Sequence, residues 1–344
     1  MGQVGGVSPI GNILYFVVFV GSVDMKRMLF ILAVFFLSGC DRLITVEPVT
    51  GESVPAVSPS QTPVPEKVDA ELEHEIRTLT KDVEADVGVG VLLIESGDAA
   101  YLNRDGQFPM MSVYKLPIAM AALRLVDERR ITLDQEIIIT KEDFVRPGFH
   151  SPIRNVNPGG TVMQLNELLR YSISESDGTA NDVILDAAGG PSAVQEYLDS
   201  IGVGEGIKVA NSEKEISQDW ETQYRNWATP ASTIELLRRI QTRQAKLSEM
   251  TTQRLLTVMT NSETGRRRLK AGLPKEAELA HKTGTGGTKD GITGATNDVG
   301  IITLPDGRHI AIAVYVKDSR ADMWARENLM SEIAEVVYTK WTLK

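Results

Sequence analysis

Residues 112–123 read SVYKLPIAMAAL and place a serine and a lysine at the start of an apolar stretch. If the stretch forms a helix, positions i and i+3 share one face, so the Ser112 hydroxyl and the Lys115 ammonium are neighbours. A buried lysine is costly unless it has partners or gives up its proton. The stretch therefore predicts either a reactive serine–lysine pair or a plain helix start whose lysine reaches solvent, and the rest of the chain has to decide between them.

The segments on either side of this stretch predict a sheet that is interrupted by helices. VGVGVLLIE (87–95) leads through an SGD turn into a second strand. The strand pattern returns at AELAHKTGTG (277–286), TNDVGIITL (296–304) and RHIAIAVYVKD (308–318). Between the two sets of strands, apolar residues recur at helical spacing, and helices are also predicted over 70–83 and 322–341.

This order predicts an α/β fold in which the strands form one antiparallel five-stranded sheet. The sheet lobe, with flanking helices, is expected to comprise residues 68–111 and 275–344. Residues 112–274 are expected to form an inserted all-helical lobe, which leaves a cleft between the two lobes.

The first 40 residues predict an export signal that is not part of the fold. After Met25, two basic residues precede the apolar run MLFILAVFFLSG, which is the layout of a secretory signal. The run ends in LSGC (37–40), which resembles the bacterial lipobox. Cys40 is therefore the expected site of lipidation, and translation is expected to begin at Met25. An uncleaved membrane anchor is the alternative, although the run is short for a hydrocarbon core of about 30 Å.

Residues 41–67 are rich in Pro, Ser and Thr, a composition that buries too little apolar surface to fold and predicts an extended tether. The folded domain is then expected over residues 68–344. We expect it on the periplasmic face of a bacterial membrane, at the inner membrane if enteric sorting applies.

Composition excludes several other classes of protein. The 344 residues include 46 acidic and 36 basic side chains, and the net charge of −10 argues against nucleic acid as a partner. The single cysteine permits no intramolecular disulfide, and the four histidines show no metal-ligand spacing. We therefore expect a monomer that uses no metal and no cofactor.

Three further stretches carry polar residues that suit one chemistry. They are Ser176-Asp177-Gly178 between two predicted helices, Lys282-Thr283-Gly284 on a predicted strand, and Glu213 in a long segment. Together with the serine–lysine pair they resemble the S-x-x-K, S-D-N and K-T-G motifs of the serine penicillin-recognising enzymes. Their order and separations resemble class A β-lactamases over residues 70–344. The stretches SPIR and QYRNWATP are most similar to the extended-spectrum branch of that class.

The resemblance implies a role for each motif residue. Ser112 is the nucleophile that opens the strained amide of a β-lactam, and Lys115 accepts its proton. Ser176 relays a proton toward the leaving ring nitrogen, and Lys282 supplies positive charge for the substrate carboxylate. Glu213 activates the water that removes the acyl group.

The resemblance also implies an oxyanion hole and a set of substrate contacts. The oxyanion hole is expected from the backbone N–H groups of Ser112 and Thr285. Glu215 is the alternative to Glu213 as the base. The expected substrate contacts are Thr283, Gly284, Thr285, Gly178, Ser217, Arg268 and His150. For Arg268, in a run of three arginines, the alternative is a solvated face, and for His150 it is a plain surface histidine.

Four positions depart from the family pattern. Gly178 replaces the Asn of S-D-N, whose amide normally hydrogen-bonds the substrate, and Ser217 stands where many members have an Asn that holds the deacylating water. Asp182 and Asn226 stand where the family usually has Asn and Asp. This reciprocal exchange predicts that the two side chains pair across the base of the loop that carries the glutamate.

The implied function is hydrolysis of the β-lactam ring of penicillins and cephalosporins through a serine acyl-enzyme, which confers β-lactam resistance. A penicillin-binding D,D-peptidase is the first alternative, since it shares the three motifs but lacks the glutamate. The second alternative is a sensor or binder that is acylated by β-lactams and then stalls, and the departures at Gly178 and Ser217 keep it open.

Overall fold

The computed structural model describes residues 64–343. The predictions of a signal segment over residues 1–40, of lipidation at Cys40 and of a tether as far as residue 63 lie outside the described residues. The last part of the expected tether is described, and Lys67 already pairs with Asp98 in the sheet. Within residues 64–343, no helix combines the length and the apolar character needed to cross a membrane.

The described residues form twelve strands and ten α-helices. The strands are β1 Lys67–Val68, β2 Asp86–Leu93, β3 Asp98–Leu102, β4 Phe108–Pro109, β5 Glu136–Ile139, β6 Thr161–Gln164, β7 Ile207–Lys208, β8 Trp227–Ala228, β9 Glu278–Thr285, β10 Thr288–Lys289, β11 Ile292–Thr303 and β12 His309–Ser319. The helices are α1 Ala70–Thr80, α2 Lys115–Asp127, α3 Pro152–Val156, α4 Leu165–Ile173, α5 Gly178–Ala187, α6 Gly190–Ser200, α7 Glu213–Ile216, α8 Pro230–Gln241, α9 Glu249–Thr260 and α10 Met323–Thr342. Single 3₁₀ turns occur at Met111–Tyr114, Lys141–Asp143, Trp220–Arg225 and Leu269–Gly272.

The main sheet has seven strands rather than five. Its order is β1-β3-β2-β12-β11, and both β9 and β10 pair with β11. All pairs are antiparallel except β1 with β3. The five long strands are those predicted, and the two additional strands, β1 and β10, have two residues each. Two residues are too few to give a periodic pattern, so sequence reasoning missed them.

The strands of this sheet alternate between two hydrophobic cores, as period-2 side-chain geometry requires. On β12, Ile310, Ile312 and Val314 pack with α1 and α10 in one core. Ala311 and Tyr315 point the other way, into the core shared with the helical lobe. The sheet is therefore covered by helices on both faces, and its edge strand β9 carries the K-T-G motif.

The inserted lobe is mainly helical, but it is not all-helical as predicted. β5 pairs with β6, and β7 pairs with β8, which in turn pairs with β4. The β5 sequence is EIII, and such β-branched runs favour strands. Ile138 of β5 is 72 % exposed and Ile139 is buried, but both are isoleucine, so the sequence shows no alternation of apolar and polar residues that would identify the strand.

The helix α2 lies at the centre of the inserted lobe. It is in contact with α4, α5, α6 and α9, and its residues 115–123 are all buried. A helix that is apolar all round is expected in such a position. The predicted reactive lysine is therefore fixed at the start of a helix whose first nine residues are all buried.

Candidate active site

The segment before α2 is held in an unusual backbone conformation. Met111 has φ of 44°, a left-handed value that non-glycine residues rarely adopt. The Asn297 side chain of β11 donates hydrogen bonds to the carbonyls of Pro109 (2.7 Å) and Met110 (3.0 Å). These bonds tie the segment to the sheet, so Ser112 follows a turn that is fixed to β11. Sequence reasoning missed Asn297, which belongs to none of the motifs.

The Lys115 ammonium contacts three groups that are far apart along the chain. Its Nζ lies 2.9 Å from Ser112 Oγ, 3.2 Å from the Ser176 carbonyl oxygen and 3.3 Å from Glu213 Oε2. The lysine is fully buried. The alternative of a lysine that reaches solvent is therefore wrong, because its three donors face three oxygen atoms inside the lobe.

Lys282, the second lysine of the motifs, is also fully buried and bonded to oxygen atoms of the site. Lys282 Nζ donates to Ser176 Oγ (2.9 Å) and to the Thr283 carbonyl (3.1 Å). Burial, and next the charge of Lys115, lower the pKa of Lys282 well below its usual value. Ser176 has φ of 62°, and Asp177, which follows it, caps α5 by accepting from the Ala180 N–H (2.9 Å). The hydroxyl of Ser176 therefore faces β9 while its carbonyl faces Lys115.

Glu213 begins the single turn α7, which the sequence pattern did not predict. Ser212 caps this turn in a capping box with Glu215, whose carboxylate accepts from the Ser212 N–H (2.8 Å). Glu215 is exposed, whereas Glu213 is only 7 % exposed and its carboxylate is turned toward Lys115. The structure therefore brings Glu213 into the cluster and commits Glu215 to the cap.

Asp182 of α5 holds the start of α7. Its carboxylate accepts from the backbone N–H groups of Glu213 (2.7 Å) and Lys214 (2.9 Å). Burial raises the pKa of Asp182 to about 6, and the two backbone hydrogen bonds oppose this shift. A carboxylate with two acceptor oxygens suits two adjacent N–H donors better than a carboxamide with one.

The predicted pairing of Asp182 with Asn226 is wrong. The Asn226 amide instead accepts from the N–H groups of Ala210 (2.7 Å) and Asn211 (2.9 Å) and donates to the Asn211 carbonyl (2.8 Å). Each side chain therefore binds a different part of the loop backbone. Asn226 has both a donor and an acceptor, which the peptide groups at its end of the loop require.

Gly178 is the first residue of α5 and packs against the glutamate. A Cβ added there would lie 2.8 Å from Glu213 Cγ and 3.3 Å from the His150 carbonyl oxygen. The glycine therefore leaves room for the Glu213 side chain. Ser217 is buried, and its hydroxyl donates to the Lys214 carbonyl (2.6 Å). Toward a water, Ser217 can then act only as an acceptor.

The K-T-G strand approaches the segment before α2 closely. A Cβ at Gly284 would lie 2.3 Å from the Met110 carbonyl oxygen, so only glycine fits there. The Gly286 N–H donates to Ala295 of β11 (2.8 Å). Because successive N–H groups along a strand point in opposite directions, the Thr285 N–H points away from β11. The Thr283 hydroxyl bonds that of Thr264 (2.7 Å).

Arg268 is buried rather than part of a solvated face. Its guanidinium donates to Gly284 O (3.1 Å), Asn297 O (2.9 Å), Thr285 Oγ1 (2.7 Å) and Glu327 Oε1 (3.3 Å). These bonds occupy four of its five N–H groups. The side chain of the preceding Arg267 is 65 % exposed, so it is this arginine that lies on a solvated face.

His150 lies on the surface, where its Nε2 is 2.9 Å from the Glu175 carbonyl oxygen. This position agrees with the alternative of a surface histidine and is also compatible with one at the rim of the cleft. Tyr114, a second residue that sequence reasoning missed, is fully buried and bonds Glu213. The signal was available, because a buried tyrosine hydroxyl usually requires a hydrogen-bond partner.

Comparison with known proteins agrees with this geometry. The model of the β-lactamase enzyme family matches residues 71–341. β-Lactamase VEB-1 of Pseudomonas aeruginosa is 38 % identical over 276 residues, which cover 79 % of this chain and 91 % of that protein. The extended-spectrum β-lactamase PER-1 of the same organism is 36 % identical over 268 residues, which cover 78 % of this chain and 86 % of that protein.

A solved structure gives the same result for the fold. The crystal structure of a β-lactamase from Chitinophaga pinensis DSM 2588 superposes with a TM-score of 0.76 at 38 % identity. The match covers 79 % of this chain and 99 % of that one. The chain therefore belongs to the β-lactamase enzyme family, as a class A serine β-lactamase whose relatives include extended-spectrum enzymes.

Proposed function

We propose that this β-lactamase opens the ring of penicillins and cephalosporins through an ester on Ser112, and that a water activated by Glu213 then frees the serine. The observation that carries the proposal is the position of one ammonium: Lys115 Nζ lies 2.9 Å from the Ser112 hydroxyl oxygen and 3.3 Å from Glu213 Oε2. Because the hydroxyl and the carboxylate group contact the same atom, one water can span the distance between the two groups, as base-catalysed attack on the ester requires.

Acylation uses the contacts of the two lysines. Lys115 acts here as the neutral amine, having passed one ammonium proton to Glu213 Oε2 at 3.3 Å, and it accepts the proton of the Ser112 hydroxyl as the oxygen attacks the β-lactam carbonyl carbon. As the C–N bond of the ring breaks, the Ser176 hydroxyl passes a proton to the nitrogen and regains one from Lys115, which gives up the proton that it took from Ser112. Glu213 returns its own proton to Lys115 before deacylation. Lys282 donates to Ser176 Oγ at 2.9 Å, so the proton of that hydroxyl remains free to be given to the nitrogen.

The negative charge on the attacked carbonyl oxygen is assigned to two backbone donors, the N–H groups of Ser112 and Thr285. Support comes from their positions, since Ser112 lies at the start of a helix and the Thr285 N–H points away from the sheet. Loss of one such donor typically raises the barrier by about 2.7–4 kcal/mol. Gly284 permits the close approach that brings the two segments together.

The substrate carboxylate is assigned to the β9 side of the cleft, where Lys282 and the hydroxyls of Thr283 and Thr285 lie. Arg268 contributes mainly through Thr285, because its Nη2 donates to that hydroxyl at 2.7 Å. On the opposite side, Gly178 offers no side-chain amide to the substrate. His150 is assigned to the rim of the cleft.

Deacylation is assigned to Glu213, with Ser217 accepting a hydrogen bond from the attacking water. The parent enzyme is expected to turn over a chromogenic cephalosporin continuously, while Glu213→Gln forms the acyl-enzyme and stalls, which intact-mass spectrometry detects as a covalent adduct. Glu215→Gln is the matched control, because it makes the same change two residues away on the exposed cap.

Two outcomes would contradict this assignment. Stalling of the Glu215→Gln enzyme, with normal turnover by Glu213→Gln, would move the base to the other carboxylate. A single stoichiometric burst by the parent enzyme would indicate a binder that is acylated but does not hydrolyse. A D,D-peptidase is opposed by the placement of Glu213 beside Lys115.

The location of the enzyme is a separate proposal that rests on the sequence alone. We propose export, cleavage before Cys40 and lipid attachment at that cysteine, with the catalytic domain on the periplasmic face as a monomer. Growth of the producing cells with a radiolabelled fatty acid is expected to label the parent chain but not a Cys40→Ala variant. Equal labelling of the two chains would contradict lipidation at this site.

A further inference from the structure

Tyr114 is a fully buried residue in direct contact with the base, and none of the steps above uses it. Its hydroxyl donates to Glu213 Oε2 at 2.7 Å and accepts from Asn181 Nδ2 at 3.0 Å. Burial, and next the negative charge of Glu213, raise the pKa of Tyr114 well above its usual value. The hydroxyl therefore keeps its proton and acts as a donor toward the carboxylate.

The two oxygens of Glu213 have different surroundings. Oε2 faces both the Tyr114 hydroxyl at 2.7 Å and Lys115 Nζ at 3.3 Å. Oε1 accepts no hydrogen bond from any residue in the described range 64–343. A carboxylate oxygen that already faces two donors is poorly placed to accept a third proton, so Oε1 is the oxygen available to a water.

We propose, on the basis of the assignment of Glu213 as the deacylating base, that Tyr114 is a positioning residue that holds Oε2 and so presents Oε1 to the hydrolytic water. In the step that this arrangement serves, the water oxygen bonds to the ester carbonyl carbon and its proton passes to Oε1. The bond between the acyl carbon and Ser112 Oγ then breaks, and the proton on Glu213 passes to the serine oxygen. Tyr114 exchanges no proton in either half of the step.

Asn181 fixes the orientation of the tyrosine hydroxyl. Its Nδ2 faces two acceptors, the Tyr114 oxygen at 3.0 Å and Asp182 Oδ1 at 3.3 Å. Because the amide donates, the hydroxyl proton is directed to Glu213. Asp182 in turn accepts from the Glu213 backbone N–H at 2.7 Å. One connected network therefore holds both the backbone and the side chain of the base, which is the role of the orienting third group in a catalytic triad.

The test is the Tyr114→Phe variant, measured with a β-lactam whose deacylation limits turnover. Without the donor, Oε2 is held by Lys115 alone and the carboxylate can rotate. Deacylation is expected to slow by about ten- to a hundredfold, the range spanned by hydrogen bonds to charged groups. Because kcat/KM reports acylation, kcat and KM should fall together and kcat/KM should keep its parent value. The acyl-enzyme should accumulate in the mass spectrum.

Tyr197→Phe is the matched control. Tyr197 is also buried, and its hydroxyl donates to the Ala245 carbonyl at 2.7 Å, within the same lobe and with no bond to the motif residues. Each variant removes a buried hydroxyl, so both should lose stability, with the larger loss in Tyr114→Phe because its bond is to a carboxylate. Only Tyr114→Phe should accumulate the acyl-enzyme. A purely structural role for Tyr114 would lower the burst amplitude and kcat/KM together through loss of active enzyme.

The outcomes separate this proposal from the proposed function. If Glu213→Gln stalls as the acyl-enzyme while Tyr114→Phe deacylates at the parent rate, the positioning role is refuted and the base assignment stands. If Glu213→Gln does not stall, the base assignment itself fails. Should Tyr114→Phe fold poorly, Asn181→Ala provides the second test, because it keeps the tyrosine hydroxyl and removes the amide that orients it, together with the longer bond of that amide to Asp182. It is expected to slow deacylation by a smaller factor, and a parent rate would overturn the network.

Discussion

Replacement of Gly178 by alanine is expected to impair deacylation selectively. The added Cβ would lie 2.8 Å from Glu213 Cγ and 3.2 Å from Val145 Cγ1. Non-bonded carbon atoms rest about 3.5–4.0 Å apart, so the glutamate has to move by about 1 Å. Its carboxylate is held by Tyr114 at 2.7 Å and Lys115 at 3.3 Å, and these contacts would not survive such a shift unchanged.

The magnitude of the effect follows from this displacement. A misplacement of about 1 Å at a catalytic group can reduce the rate by about a hundredfold. The free energy of unfolding should fall only moderately. Overpacking costs about 1–3 kcal/mol, and the preference of helices for alanine over glycine offsets up to about 1 kcal/mol of that loss. The Gly178→Ala enzyme should therefore remain folded, form the acyl-enzyme at a near-parent rate and hydrolyse it slowly.

Rapid mixing with a chromogenic cephalosporin gives the burst and the steady-state rate, and intact-mass spectrometry gives the fraction acylated. Gly159→Ala is the matched control, because a Cβ there meets no atom within 4 Å. Gly178→Asn, which restores the S-D-N motif, should be at least as impaired as the alanine variant. Parent-like deacylation by Gly178→Ala would refute the reasoning, since it would mean that the glutamate does not need the space at this position.

Three further changes test other parts of the site. Burial raises the pKa of Asp182 to about 6 from its ordinary 3.8, so its contribution to stability is present below about pH 4 and is lost as the pH rises through 6. The free energies of unfolding of the parent and of Asp182→Asn, measured by urea denaturation, should therefore differ by an amount that changes by up to about 3 kcal/mol across that pH window. A difference that stays constant with pH would contradict the shift in the pKa of Asp182. Arg268→Lys cannot reproduce the four donated hydrogen bonds and should lower the free energy of unfolding by about 2 kcal/mol and raise KM more than it lowers kcat. Gly284→Ala should lower kcat/KM through slower acylation, seen as a slower burst, because its Cβ would displace Met110 beside the nucleophile.

The motif residues were predictable because their chemistry is tied to short spacings. Ser112 and Lys115 meet through one helical turn, and the K-T-G strand needs its glycine for its close approach to Met110. The long strands were equally accessible, since Ile310 to Val316 alternate between the two cores over a full strand. Signals of this kind are local or periodic, and a single sequence contains them in full.

The contacts that depend on packing between distant segments were not predictable in the same way. The exchange of Asp182 and Asn226 relative to the family predicts a pair, yet each side chain binds a different part of the loop backbone. Backbone donors and acceptors do not appear in a sequence pattern, so a side chain that serves them cannot be distinguished from one that serves another side chain. Asn297 was missed for this reason, because both of its acceptors are carbonyls of the segment before α2.

Two departures from the family pattern, Gly178 and Asp182, are best understood together with Tyr114, because all three surround Glu213. Gly178 leaves the space that its Cγ occupies, Asp182 accepts from its backbone N–H, and Tyr114 donates to its carboxylate. Taken singly, the glycine is a lost substrate contact and the aspartate is an exchanged partner. In the fold, all three contact the same residue, Gly178 and Asp182 from α5 and Tyr114 from the turn before α2. Their effects on deacylation should therefore be strongly non-additive, as is usual for side chains that share one partner.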